Sequence, residues 1–462
     1  MMLLSPSHRI LFFYLLLISS TPVWAAKWEL TPSISASYTY SDNISLSQTN
    51  HSGDAALTAS PQIQVKAKGG HLDLEANYGM QVIRYRDNTQ ANDVYNTAGL
   101  AANFKLVPET FNVETSVRYG QQAISLTASP APQNNVIISS NRTNTLTYQI
   151  KPVYKSRLGG LATLQADYSY QGLQYDNKSI QHRHVINSSY HVGLTSTRAY
   201  RDLSWSINHK RSDYDVQDNS NNYDSSTELG LNYRISSKLS LIASGGDEQN
   251  HVTSSQLGTG GTYWSGGFSW TPTSHTSVEV THGKRFFGDS TSAAITRVSK
   301  RSRFNLTYNE SLTTTSLVQS NTSLIPGYVV LAIVDDFILQ KALYATLSAN
   351  TARTDYGMTA NQRKLTYQTS LKTEEYTAYS LFWNWRFTKR SSLHLSGTRQ
   401  TTNFITTQEQ LVTDSHEVSL EHSLGKYSSS SLRYINYKNE SLTGTNEYTS
   451  NFYEFTLKWT FR

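Results

Sequence analysis

The last ten residues constrain the fold more than any other stretch. Tyr453, Phe455, Leu457, Trp459 and Phe461 alternate with Glu454, Thr456, Lys458, Thr460 and Arg462, which gives one wholly apolar face and one wholly polar face. That is a period-two strand rich in aromatic residues. In water the aromatic face has to be covered by a second layer, whereas in a bilayer it faces lipid while the polar face lines a lumen. Outer-membrane β-barrels close on a strand of this kind, and Arg462 after Phe461 is one residue more than their usual aromatic ending.

The other end of the chain agrees with export. His8 and Arg9 precede an apolar run from Ile10 to Ile18, and Val23-Trp24-Ala25 offers small residues to a signal peptidase. Residues 1–25 therefore read as a signal peptide, cleaved after Ala25 or Ala26, and 26–462 as a single barrel domain. As a membrane anchor the run is too short, and the longest later apolar stretch, Val329 to Val334, stops at Asp335 and Asp336.

Composition fits half-polar strands. Only 37% of the 462 residues are hydrophobic, yet 30 Tyr and 8 Trp supply the aromatic girdles that barrels place at membrane interfaces. There is no Cys, which removes disulfides, thiolate chemistry and a lipidated N-terminal Cys together. The net charge of +6 is dispersed, without a basic run, so nucleic acid is not an expected partner.

The strand unit recurs along the chain. Leu72, Leu74, Ala76, Tyr78, Met80 and Val82 alternate with Asp73, Glu75, Asn77 and Gln81. Similar alternation covers Phe111 to Tyr119, Leu203 to Asn208, Glu228 to Ile235 and Tyr379 to Phe387. The expected fold is all-β: a transmembrane antiparallel up-and-down β-barrel of about 20 to 22 strands. Short turns at Lys68-Gly69-Gly70, Val107-Pro108-Glu109, Arg157-Leu158-Gly159, Ser236-Ser237-Lys238, Thr271-Pro272-Thr273 and Thr388-Lys389-Arg390 belong on the periplasmic side. The longer polar stretches face outside: Asp42 to Asp54, Ile124 to Asn141, Gln217 to Asn222, His251 to Gly260, Phe287 to Val298 and Ile405 to Thr413.

One region breaks the parity of strands. From Ser311 to Gln340 the alternation weakens and Pro326-Gly327 interrupts it, while strands near Arg303 to Tyr308 and Leu339 to Ser348 would both run downwards on this parity. The segment is either an ordinary lipid-facing hairpin or a constriction folded into the lumen or against its periplasmic mouth.

Two short motifs carry a family resemblance. Near the N-terminus Trp28, Pro32, Ser33 and Ile34 lead into Tyr38-Thr39-Tyr40-Ser41-Asp42-Asn43-Ile44, then Leu46 and Pro61; later comes Val334-Asp335-Asp336-Phe337-Ile338-Leu339-Gln340-Lys341. With the signal peptide, repeated strands and aromatic end, the chain resembles the outer-membrane β-barrels associated with PEP-CTERM/exosortase systems and exopolysaccharide loci. The motif residues are Asp42, Asn43, Asp335, Asp336 and Phe337. The resemblance implies a Gram-negative envelope setting, in export or surface assembly of exopolysaccharide or of proteins sorted alongside it.

Catalytic and metal constellations are sparse. His182, His184 and His191 can be drawn as a metal set but lack a fixed carboxylate, and Asp213, Asp215 and Asp218 can collect a cation at an extracellular mouth or, more commonly, form an acidic loop at a lipopolysaccharide-rich surface. The cluster Gly258, Gly260 and Gly261 precedes no helix, and there is no Gly-x-Ser-x-Gly elbow. The first strand begins almost directly after the signal peptide, which leaves no room for an N-terminal plug. The expected activity is therefore not enzymatic: a porin-like or export conduit without cofactors, against the alternatives of a barrel hydrolase or a structural, adhesive surface barrel. Its expected lumen-facing residues are Asp73, Glu75, Arg118, Glu228, Arg234, Arg386 and Lys458, a set of mixed sign. Phe382, falling inward, can stack on a sugar ring or equally make a structural contact with a plug segment. Expected partners are outer-membrane lipid and lipopolysaccharide, the barrel-assembly machinery, and exopolysaccharide or its export proteins.

Overall fold

Twenty-two strands are needed to use up the alternating segments, and each pairs antiparallel with its sequence neighbour until β22 returns to β1. The computed structural model describes residues 26–87, 92–123, 135–137, 142–176, 184–197, 202–216, 219–251, 260–314, 337–368, 371–405, 408–444 and 447–461. The strands are β1 (Lys27–Ser41), β2 (Asp54–Lys68), β3 (Leu72–Tyr85), β4 (Asp93–Val107), β5 (Phe111–Ala123), β6 (Arg142–Leu158), β7 (Ala162–Tyr175) and β8 (His184–Ser196). They continue as β9 (Leu203–Val216), β10 (Asn219–Arg234), β11 (Leu239–His251), β12 (Gly260–Thr273), β13 (Thr276–Arg285), β14 (Gly288–Val298) and β15 (Ser302–Thr314). The last are β16 (Phe337–Asn350), β17 (Thr354–Tyr367), β18 (Thr373–Trp385), β19 (Ser391–Phe404), β20 (Glu409–Ser423), β21 (Ser428–Ser441) and β22 (Tyr448–Thr460).

The registers keep like with like. On β1 and β2, Trp28, Leu30, Ile34 and Tyr38 lie opposite Ala67, Val65, Pro61 and Leu57, while Ser33 and Ser37 lie opposite Gln62 and Thr58. The C-terminal strand continues the pattern: Trp459, Leu457, Phe455 and Tyr453 face Ile34, Ala36, Tyr38 and Tyr40 across the seam. The apolar face is the outer one. Leu57, Leu381 and Leu432 are 59%, 58% and 58% exposed, and similar side chains recur around the whole circumference. So continuous a surface of uncovered Leu, Tyr and Trp suits hydrocarbon, not water. At about 3.3 Å per residue and a tilt of about 40°, the run from Trp28 to Tyr40 spans roughly 30 Å, a bilayer's hydrocarbon thickness.

Which face is inner follows from one short segment. Asn135–Ile137 touches Gln81, Ile83 and Tyr85 on β3 and also Ile435 on β21 and Phe452 on β22. A single segment reaches all of these only from the concave side.

Four expectations are corrected. Phe287 to Val298 is not an outer loop: Phe286 and Phe287 make a tight turn and Gly288–Val298 is β14. Arg285 pairs with Gly288, whose φ of 114° requires a glycine. The strand escapes a sequence reading because its outward Thr291 and Ala293 are scarcely more apolar than its inward Ser292 and Ala294. Counting β14 restores the parity, so β15 and β16 run antiparallel and pair directly from Ser302↔Ala349 to Thr314↔Phe337. The connection between them leaves from the end opposite the two termini, not from the mouth expected to be periplasmic. Its residues 315–336, with Asp335 and Asp336, lie outside the described ones, while Ser311 to Thr314 and Phe337 are wall. Last, Asn219 to Asn222 and Glu409 to Thr413 belong to β10 and β20, and Thr271 to Thr273 to β12, with the turn at Ser274 and His275.

The face assignment makes a stability prediction. Leu231→Arg, on the outer face near mid-wall, should cost roughly 2 to 4 kcal/mol, whereas Glu75→Gln on the inner face should cost far less. Denaturant unfolding in lipid measures both. Replacing Trp459 and Phe461 together with Asp should prevent the heat-modifiable folded band from forming on gels.

Candidate functional site

Two surfaces can meet a solute: the inner wall and the mouth formed by the longer connections. Alternation places every second residue on the wall, and cross-strand neighbours pair its charges. Asp73 meets Lys105 at 2.5 Å, and Glu75 meets Lys66 at 3.2 Å and accepts from Gln64 at 2.9 Å. Glu228 accepts the Tyr263 hydroxyl at 3.1 Å, and Arg386 lies 3.7 Å from Asp355. Arg118, Arg234 and Lys458 are exposed on the same face and form no ion pair among the described residues. The seven residues therefore share a face but are spread around the circumference and do not converge on one centre.

Other wall charges escaped sequence reasoning. Arg433 is held by Glu417 through two hydrogen bonds of 2.8 Å and stands 3.9 Å from Glu454. Arg285 donates through Nε to the buried Glu248 at 2.9 Å, and Glu248 also accepts the backbone N–H of Phe286. The alternation signals such residues, but the pairing depends on register across strands. Where opposite charges are paired they leave little net field along the wall, while Arg118, Arg234 and Lys458 add dispersed positive charge to it.

The inner face also carries uncharged polar surface. A recess of about 330 Å³ is lined by Gln62, Gln64, Asn77, Gly79 and Thr97 with Lys458 at its margin. Phe382 points inward, opposite Gly357 and Ser396, as the sequence predicts.

The candidate metal set does not assemble. His191 is on the inner wall and His184 on the outer face, and His182 lies outside the described residues. His191 has both ring nitrogens occupied, Nδ1 by Asp167 at 3.1 Å and Nε2 by Asn208 at 3.3 Å. Asp213 and Asp215 face outward, Asp213 paired with Arg211 at 2.8 Å, and Asp218 is outside the described residues.

Among the described residues, two segments lie inside the mouth: the one that follows β1 and residues 135–137. Asp42 and Asn43 begin the first and tie it to the seam. Asp42 accepts the backbone and side-chain N–H groups of Asn451 at 2.8 and 2.7 Å. Asn43 is 1% exposed, donates to Ser47 O at 2.8 Å and Thr449 O at 3.1 Å, and accepts the Ser47 backbone N–H at 2.9 Å. So fastened, the connection lowers Ile44 onto Ala56, Ile83, Tyr85 and Val136, and Leu46 onto Ile137, Ile435 and Phe452. The Tyr85 hydroxyl donates to Val136 O at 2.8 Å, and Asn135 donates to Gln81 at 2.7 Å, which fixes residues 135–137 against β3. The motif residues Asp42 and Asn43 are thus a clasp. Sequence reasoning placed the constriction at 311–337 and missed this one, although Ile44, Leu46, Val136 and Ile137 are apolar residues set in polar loops.

No protein-family model matches the sequence, and no curated protein matches it. Solved structures resemble the fold at low identity. The FrpB iron transporter from Neisseria meningitidis aligns at 11% identity and a TM-score of 0.54, over 93% of this chain and 81% of that one. The ferric enterobactin receptor PfeA from Pseudomonas aeruginosa gives 10% and 0.53, over 94% and 82%. The siderophore receptor PirA from Acinetobacter baumannii gives 6% and 0.52, over 93% and 80%. At such identities the likeness establishes a shared barrel fold.

Because the chain has no Cys, the clasp can be tested with a single introduced thiol. Ile44→Cys should resist a membrane-impermeant maleimide in the folded protein. Adding Asn43→Ala, which removes hydrogen bonds worth about 1 kcal/mol each, should raise its labelling rate severalfold.

Proposed function

We propose that the protein is an outer-membrane conduit for hydrophilic, hydroxyl-rich solutes, set within exopolysaccharide export or surface assembly. The observation that carries this reading is the inner wall: amides, hydroxyls and charge pairs cover it, while the outer face is apolar along the same strands. Such a wall keeps a neutral sugar hydrated and gives it hydrogen-bond partners throughout its passage. Phe382 adds an aromatic face of the sort that sugar rings stack on. Placement in the outer membrane is supported by the closed ladder and the apolar band. The exopolysaccharide setting is supported by the resemblance carried by Asp42, Asn43 and the Asp335-Asp336-Phe337 motif.

A barrel hydrolase is the weaker reading. His191, the inner-wall histidine paired with a carboxylate, has its second nitrogen against an amide oxygen and not against a nucleophile.

In this orientation the short turns and both termini face the periplasm, and the Asp42–Asn43 clasp guards the outer mouth. Purified protein in planar bilayers should conduct with weak selectivity between potassium and chloride, and polysaccharide from the same organism should reduce the current. Deleting the side chains that fill the mouth, as Ile44→Ala with Ile137→Ala, should raise conductance. Lack of conductance in both the wild type and that variant would remove the conduit reading.

A further inference from the structure

Arg363 differs from every other inner-wall cation described above. It is half-buried, whereas Arg118, Arg234 and Lys458 are exposed, and unlike Arg285, Arg386 and Arg433 it forms no ion pair among the described residues. Its Nε donates to Asn361 at 3.2 Å, which fixes the guanidinium plane and leaves the two terminal nitrogens without a hydrogen bond among the described residues. The inward carboxylate of the neighbouring strand, Glu374, accepts the Tyr367 hydroxyl instead.

The surroundings are polar and aromatic. Registers across β16 to β19 bring Tyr344 opposite Asn361, Arg363 opposite Tyr376, and Tyr376 opposite Thr402, all on the inner face. Tyr376 donates to Gln400 at 3.4 Å. Asn361, Gln400 and Thr402 are 4%, 4% and 1% exposed, and the Thr402 hydroxyl is buried with no partner among the described residues. Buried polar groups are ordinarily satisfied, and a fixed guanidinium fork matches a planar oxyanion with two parallel hydrogen bonds.

We infer that this cluster is a binding site for a carboxylated sugar, a uronic acid residue of a polymer or a free acidic monosaccharide. The Arg363 terminal nitrogens would take the carboxylate, Tyr344 and Tyr376 would offer ring faces, and Gln400 and Thr402 would meet hydroxyls. Carboxylate fits better than a bare phosphate because the aromatic and amide groups have no task for an ion without a ring. The choice of a sugar rests on the conduit reading, but binding is measured without conductance.

The test is calorimetric titration of the detergent-purified, folded barrel with D-glucuronate, D-glucose and inorganic phosphate. Wild-type protein should bind glucuronate at least tenfold more tightly than either glucose or phosphate. Arg363→Gln should lose at least tenfold in glucuronate affinity, and Arg363→Lys, which keeps the charge but not the fork, should fall between. Lys364→Gln, on the outer face of the same strand, should bind as wild type. Heat-modifiability on gels shows that each variant is folded. Equal binding by wild type and Arg363→Gln, or no glucuronate binding at all, overturns the site; phosphate binding as tight as glucuronate overturns the sugar assignment. Glucuronate binding in a barrel that does not conduct would refute the conduit and leave the site standing.

Discussion

The closure of β22 on β1 is the interaction on which everything else depends. Within hydrocarbon an unpaired strand edge costs several kcal/mol for each unsatisfied backbone group, so a sheet of this length is stable there only as a closed ladder. The seam is also the shortest part of the first strand's pairing. β1 meets β2 from Lys27↔Lys68 to Ser41↔Asp54, but meets β22 only from Ser33↔Thr460 to Ser41↔Phe452. Side chains reinforce what the backbone lacks. On the inner face Thr39 donates to Glu454, Thr456 to Ser37, and Ser41 shares a hydrogen bond with Ser450. On the outer face Tyr453 packs between Tyr40 and Tyr434, with ring centroids 6.4 and 5.1 Å apart. The Asp42–Asn451 and Asn43–Thr449 contacts extend the seam past the last ladder pair into the mouth. Closure and narrowing are therefore one structure: the residues that lock the first strand to the last also aim Ile44 inward.

How much of this was legible in the sequence follows from where side chains alone set the outcome. Period two determines the face of a residue, so the aromatic ending Tyr453 to Phe461 and the inward set from Asp73 to Lys458 could be read directly. It fails where the two faces carry residues of similar size and polarity, as in β14, and that one missing strand produced the false parity fault at Ser311 to Phe337. Connections are harder still. Nothing local says that Ile44 and Val136, far apart in the chain, meet over β2 and β3; their contact depends on barrel curvature and on a clasp to Asn451 that spans nearly the whole chain. The same holds for Arg363, whose lack of a carboxylate partner among the described residues is a fact about registers across β16 to β18 and not about its neighbours in sequence.

Alternation also separates two tasks that most proteins must balance in one core. The outer residues answer to lipid and the inner residues to a polar interior, and because they alternate on the same strand, the inner set can change without disturbing the outer one. Pairing of nearly all half-buried wall charges is what burial demands, since an unpaired charge away from bulk water is costly. Arg285 with Glu248 and Arg433 with Glu417 obey that demand. Arg363, a half-buried cation held in orientation by Asn361, has no counter-charge among the described residues. Burial of a cation is offset only by negative charge close to it, and none of the described carboxylates pairs with Arg363, which sets it apart from Arg285 and Arg433 on the same wall.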